Sequence, residues 1–120
     1  TEGEPWIGVC DNYETVNARA ALDDPDSVFY TYQSLIGLRK TLTVLTWGDY
    51  EDLLPEHPSL WCYRRQWQGQ TLMVAANLSP TPQEWQADAL SDRSQVVMRN
   101  YPAPQTTSLR PFEAVWWLQQ

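Results

Sequence analysis

"SLWCYRRQWQGQTLMVAANLS", residues 59–79, decides the fold. Strand-forming residues run on either side of Gln68-Gly69, and two residues with a glycine between two such runs read as a tight hairpin. A two-residue turn there sets Trp67 opposite Gln70, Tyr63 opposite Val74 and Trp61 opposite Ala76. Trp61, Tyr63, Leu72, Val74 and Ala76 then share one face, which is expected to be the core face.

Further strands are expected on both sides of this hairpin. Toward the C-terminus, "PTPQ" (80–83) breaks the chain and "QVVMRNY" (95–101) is another strand. "PAPQTTS" (102–108) reads as a loop, and "FEAVWWLQ" (112–119) as the last strand. Pro111 suits a strand start, where a missing N–H costs little. Adjacent strand residues point to opposite faces, so one of Trp116 and Trp117 faces the core and the other lies outward or under a neighbouring element. Upstream, "VLTWGDYEDLL" (44–54) reads as a strand, a turn at Gly48-Asp49 and a short continuation, with "PEHP" (55–58) a loop. Five or six short strands separated by turns predict a mostly β chain, an antiparallel sandwich or Greek key.

The N-terminal third has a different period. Residues 1–16 read as loop, punctuated by Gly3, Pro5, Gly8 and Cys10-Asp11-Asn12. "NARAAL" (17–22) is a short helix. "DDPDS" (23–27) signals a longer one, with Asp24 as cap, Pro25 at the first helical position and Asp26 at the positive end. In "SVFYTYQSLIGLRKTL" (27–42), Val28, Phe29, Tyr32, Leu35, Ile36 and Leu42 recur at spacings of three and four and form one apolar stripe.

Bulk properties exclude several functions. At 120 residues the chain is one small domain, or one domain with a fragment of a neighbour. A net charge of −7 with no basic cluster disfavours nucleic acid and anionic membranes as partners. No apolar run reaches the length of a membrane span, and no signal peptide is recognisable. Cys10 and Cys62 lie far apart in sequence. A disulfide between them is one reading; reduced thiols in a cytoplasmic protein is the favoured one, because nothing else looks secreted.

No residue set reads as catalytic. Cys62 lies five residues from the only histidine, His57, but its place in mid-strand points to buried packing rather than a nucleophile. One histidine and two distant cysteines have no metal-ligand spacing, and the acids of 23–26 read as helix caps. No metal and no cofactor are expected. The fifteen acids include no pair whose spacing fixes two carboxylates together, as glycoside hydrolysis requires. The seven tryptophans (Trp6, Trp47, Trp61, Trp67, Trp85, Trp116 and Trp117) could stack on sugar rings, but core packing is the commoner use of aromatic residues in a small β domain.

The ordered segments "PWIGVCDNY", "DPDSVFYTYQSLIGLRK", "VLTWGDYEDLL", "LWCYRRQWQGQTLMVAANLS" and "LRPFEAVWWL" resemble the C-terminal end of the alpha-amylase superfamily. The match is to its oligo-1,6-glucosidase-like branch, and the stretch around Gly48–Arg65 is most similar to the trehalose-6-phosphate hydrolases (phosphotrehalases) within it. The resemblance covers nearly the whole chain. It implies that residues 1–42 are the end of a catalytic (β/α)8 barrel, with a loop over 1–22 and the last helix over 25–42. It implies that residues 43–120 are the C-terminal domain, an antiparallel Greek-key β-sandwich whose closing strand opens at Leu109–Glu113, with Phe112 in the core and Glu113 accepting hydrogen bonds from a neighbouring loop. Full-length members are retaining glycosidases whose Asp nucleophile, Glu acid/base and second Asp sit on earlier barrel strands. Those strands are not in this chain, so the fragment itself is expected to be inactive.

The resemblance also implies a partner and a site. The missing barrel would pack on Val28, Phe29, Tyr32 and Ile36. Where the family has Asn-Pro-Asn-Tyr after the position of Val9, this chain has Cys10-Asp11-Asn12-Tyr13, so only Asn12 and Tyr13 match. These two and Trp6 are expected near the mouth of the active site. The expected function is therefore the accessory, stabilising part of a cytoplasmic hydrolase that splits trehalose 6-phosphate into glucose and glucose 6-phosphate. Two alternatives compete with it: a free-standing carbohydrate-binding β-sandwich module, and a domain that dimerises through the helix stripe.

Overall fold

The structure, a computed structural model, describes residues 3, 6–86, 90–103 and 107–120. Three short helices come first: α1 (Ala18–Asp23), α2 (Val28–Thr41) and α3 (Thr43–Trp47). Seven strands follow: β1 (Asp49–Asp52), β2 (Leu60–Trp67), β3 (Gln70–Asn77), β4 (Gln83–Glu84), β5 (Gln95–Arg99), β6 (Ser108–Leu109) and β7 (Ala114–Gln119). Contacts divide the chain into two compact units, Thr1–Leu38 and Arg39–Gln120, with α2 crossing the division.

In the N-terminal unit, polar side chains close the turns. Residues 6–16 hold no helix or strand, and Tyr13 N–H donates to the Cys10 carbonyl across a turn. Asn17 caps α1: its Oδ1 accepts from Ala20 N, and its Nδ2 donates to the Tyr13 and Glu14 carbonyls. Ser27 Oγ donates to the Ala21 carbonyl and Tyr30 Oη to the Leu22 carbonyl, tying α1 to the start of α2. Asp24 Oδ1 accepts from Asp26 N inside a turn that ends at Ser27, so α2 begins at Val28 rather than at Pro25. Pro5 lies outside the described residues.

In the second unit the five-stranded sheet has the order β1-β2-β3-β7-β5, antiparallel throughout. The expected hairpin register holds, with Trp67 opposite Gln70, Tyr63 opposite Val74 and Trp61 opposite Ala76. Gln68 (φ 46°) and Gly69 (φ 83°) both take the left-handed conformation that a tight hairpin turn needs. After β3 the chain leaves for a two-stranded sheet of β4 and β6, returns as β5 at the far edge, and ends as β7 between β3 and β5. This is the Greek-key crossover expected of the β-sandwich. β4 and β6 are only two residues long and fall in segments that read as loops. Within "PAPQTTS", residues 104–106 lie outside the described ones.

Both faces of the large sheet are packed. On one face Leu60, Cys62, Met73, Ala75, Val115 and Trp117 meet Trp85, which follows β4, and Leu109 of β6. On the other, Leu72, Val74 and Leu118 meet Val44 of α3. β3 is therefore buried from Leu72 through Asn77, and the one-faced core expected from Trp61 and Tyr63 is corrected to two. Residues 43–47 form a helix, not a strand, because Val44 fills the second core while Arg65 donates to the Leu45 and Gly48 carbonyls at the helix end. Phe112 is not core: it sits at φ 55° in the turn before β7, 59% exposed. That strand starts at Ala114 rather than at Pro111.

Candidate functional site

Asn12 and Tyr13 lie in one turn, where the Asn12 carbonyl accepts from Thr15 N and Val16 N. Both side chains are exposed, and Trp6 is 94% exposed. No ring contact among the described residues joins Trp6 to Tyr13. The three residues thus sit on an ordered, open loop that the Asn17 side chain fastens to α1. Such a loop can present an indole face, an amide and a phenol to a polar ligand.

The stripe of α2 is likewise open at four of its six expected residues; Leu35 is partly buried, and Leu42 lies beyond the helix and packs against the second core. Val28, Phe29, Tyr32 and Ile36 are exposed, and no residue of the helix is buried. A helix is held chiefly by packing of its apolar face, so a bare stripe of this size marks a surface built to be covered.

In the second unit, the buried polar groups are structural. Asn77 donates from Nδ2 to the carbonyls of Thr81, Leu109 and Arg110, and its Oδ1 accepts from Ser79 N and Oγ. Glu113, as expected, takes its hydrogen bonds from the loop before it. The donors are the Arg110 backbone N–H and guanidinium. Burial pushes the Glu113 carboxyl up, but these bonds outweigh it and hold it below the usual carboxylate value. A carboxylate closed to solvent and committed to one arginine has neither the access nor the proton for acid–base work.

A cleft of about 1400 Å³ opens between the two sheets, with Leu60, Cys62, Met73 and Trp85 in its wall. Its candidate nucleophile is inert. Burial raises the Cys62 thiol to about 11, so it stays protonated at neutral pH. His57, also on the wall, spends its Nδ1 accepting from Ser59 N and Leu60 N. Both cysteines are free, Cys10 exposed and Cys62 buried. Among the described residues no group of three or more His, Cys, Asp or Glu could hold a metal, and no helix is long and apolar enough to cross a membrane.

One exposed feature escaped the sequence reading. Trp61 and Tyr50 both lie against Tyr63, with ring centroids 5.1 and 5.3 Å away, and the Trp61 indole donates to Tyr50 Oη at 3.3 Å. Trp61 is 47% exposed and Tyr50 55%. The three rings stand on the face of the large sheet that carries α3. The cause is the short reach of that helix. α3 covers β2 near Arg65, and Trp61 lies four residues on, about 13 Å along a strand.

The alpha-amylase family, described as "Alpha amylase, catalytic domain", matches residues 1–48. The trehalose-6-phosphate hydrolase of Escherichia coli K12 is 60% identical over the whole chain, which covers 22% of that protein. An oligo-1,6-glucosidase of Heyndrickxia coagulans is 42% identical, again over the whole chain and 22% of its own length. Among solved structures, Bacillus licheniformis trehalose-6-phosphate hydrolase superimposes on all of the chain with TM-score 0.89 at 32% identity, the chain covering 23% of it. The chain thus spans about a fifth of the length of the relatives it matches. From end to end, in sequence and in fold, the chain is similar to one segment of these enzymes, and its first 48 residues match the alpha-amylase family.

Proposed function

We propose that the chain is the C-terminal accessory part of a cytoplasmic, retaining glycosidase that cleaves trehalose 6-phosphate to glucose and glucose 6-phosphate. Residues 1–42 close the catalytic barrel, and residues 43–120 are the β-sandwich that follows it. The part has no catalytic residue of its own. It stabilises the barrel by covering apolar surface, and Val28, Phe29, Tyr32 and Ile36 are the contacts on its helix. Trp6, Asn12 and Tyr13 stand at the rim of the active-site mouth.

The observation that carries this reading is the continuous likeness to trehalose-6-phosphate hydrolase over every segment of the chain. The bare stripe of α2 supports it, because a barrel wall is the apolar partner such a stripe requires. The test is turnover by two purified proteins. The full-length protein is expected to release glucose and glucose 6-phosphate in equal amounts from trehalose 6-phosphate, and the 120-residue chain alone to release neither. Hydrolysis of isomaltose but not of trehalose 6-phosphate would overturn the substrate, and turnover by the chain alone would overturn the accessory role.

A further inference from the structure

We propose that Asn17 is a positioning residue for sugar binding: its single side-chain amide sets Asn12 and Tyr13 where they meet the substrate. The inference rests on the reading above, which stands those two residues at the mouth of the active site, and adds the residue that holds them there. Asn17 itself touches no substrate.

The turn over 10–16 is shaped by its own bonds. Tyr13 N–H donates to the Cys10 carbonyl, and the Asn12 carbonyl accepts from Thr15 N, Thr15 Oγ1 and Val16 N. These bonds curl the backbone but begin and end inside the turn. Asn17 ties it outward. Its Nδ2 donates to the Tyr13 carbonyl at 2.9 Å and the Glu14 carbonyl at 3.1 Å, while its Oδ1 accepts from Ala20 N of α1 at 2.9 Å. The amide has two N–H bonds and spends both on the loop, so one planar group holds three points of the backbone in fixed relation. The far end of α1 is tied in turn to the start of α2, by Ser27 Oγ on the Ala21 carbonyl and Tyr30 Oη on the Leu22 carbonyl. The carbonyls of residues 12, 13 and 14 are thus all bound, while the Asn12 and Tyr13 side chains stay exposed. A fixed backbone beneath free side chains is what preorganised recognition requires.

Helix capping alone does not account for Asn17. A cap needs one acceptor oxygen, which Asp, Ser or Thr supplies as well. The two donors are what asparagine adds, and both go to the loop. Place in the chain gives the loop its use. It leads into α1 and α2 within residues 1–48, the segment that matches the catalytic domain. In a barrel enzyme the loops that lead into the helices build the face where substrate binds.

The test is the Asn17→Asp variant of the full-length protein. It keeps the capping oxygen but replaces both donors with a carboxylate that repels the two carbonyls, so its melting temperature is expected within about 2 °C of the parent's. KM for trehalose 6-phosphate is expected to rise about fivefold, what the loss of one neutral hydrogen bond is worth, with kcat unchanged within about twofold. Hydrogen exchange over residues 10–16 is expected to quicken. Asn17→Ala, which loses the cap as well, is expected to show the same rise in KM with a lower melting temperature. An unchanged KM in Asn17→Asp, or unchanged exchange in the loop, would reduce Asn17 to a cap and overturn the inference. A fall in kcat with KM unchanged would overturn it too, because the loop would then bear on chemistry rather than on binding. If the parent hydrolyses isomaltose and not trehalose 6-phosphate, the substrate reading fails, and the same variants measured on isomaltose still decide the role of Asn17. If the parent hydrolyses neither, both readings fall.

Discussion

The Glu113 carboxylate is fully buried and accepts hydrogen bonds from Arg110 at three points, the backbone N (2.8 Å), Nε (3.0 Å) and Nη2 (2.9 Å). The arginine reaches further. Its guanidinium lies 4.5 Å from the Tyr101 ring centre and donates to the Pro102 and Ala103 carbonyls. One ion pair therefore fastens the turn before β7 to the loop that follows β5.

The two partners are not equivalent under mutation. Glu113→Gln keeps an oxygen that can still accept and leaves an arginine that water can reach, so a loss of about 1 to 2 kcal/mol is expected. Arg110→Met strands a buried carboxylate with only the residue-110 backbone N–H as its donor and is expected to cost more than Glu113→Gln. Guanidinium denaturation followed by tryptophan fluorescence ranks them; the opposite order would show that the bond network, not the buried charge, sets the cost.

The pH dependence has a definite sign. Arg110 holds the folded Glu113 carboxyl below its ordinary value, so the unfolded chain binds this proton first as the pH falls. The stabilisation is complete above about pH 4.3, the unfolded value, and is lost as pH drops through the lower folded value. In Arg110→Met the backbone N–H of residue 110 still donates, but burial, the largest influence, outweighs that one bond, so the folded carboxyl rises above the unfolded one and acidification becomes stabilising over that window. Unfolding midpoints between pH 3 and pH 6 are expected to slope in opposite directions in the two proteins.

Cys62 gives the alkaline counterpart. Burial lifts its thiol from 9.0 to about 11, so between those values the unfolded thiol ionises while the folded one does not, and stability falls as the pH rises through this range. At pH 8 iodoacetamide is expected to add one label per native chain, at the exposed Cys10, and a second only in denaturant. Two labels on the native chain would mean that the core around Cys62 opens readily.

Trp116 and Trp117 divide as adjacent strand residues must. Trp117 stacks on Trp85 at 5.3 Å in the first core, while Trp116 is only partly buried at the margin of the second. Trp117→Ala is expected to cost about 3 to 5 kcal/mol and Trp116→Ala distinctly less. Differential scanning calorimetry distinguishes them; equal losses would mean that Trp116 carries packing beyond its partly buried position.

The hairpin and the helix stripe were legible because each depends on a local period: a two-residue turn pins the register of 60–77, and spacings of three and four expose the face of α2. What was misread depends on distant partners. Thr43-Val44-Leu45-Thr46 has strand-forming residues, yet it coils because Val44 fills a core whose other members come from β3 and β7. The run Leu72–Ala76 carried the sign of burial on both faces, since it is apolar without alternation. Phe112 shows no local mark of a left-handed turn, and Asn100, twelve residues away, binds its carbonyl there. Trp61 was placed in the core by its face alone; its exposure follows from how far α3 extends, which no period encodes. The stripe that supports the functional reading was thus visible from spacing, whereas the exposed set of Tyr50, Trp61 and Tyr63 emerges only from packing.

Gly48 is where that hidden constraint can be tested. Its φ of −65° suits any residue, so its identity is not a matter of backbone freedom. Space is the limit: a Cβ built there would lie 2.5 Å from the Val44 carbonyl oxygen, 3.1 Å from Val44 Cγ2 and 3.2 Å from Arg65 Cβ. The first contact is with backbone and cannot be relieved by a rotamer change. Gly48→Ala must therefore move α3, disturbing both the Val44 plug and the bonds from Arg65 to the Leu45 and Gly48 carbonyls. A loss of about 1 to 3 kcal/mol is expected, the range for overpacking a filled site. Arg65→Met removes the clamp without adding bulk, and the double variant is expected to lose less than the sum of the singles, because both act on one helix end. Additive losses in urea denaturation would show that glycine and arginine act independently, and that the helix is held by Val44 alone.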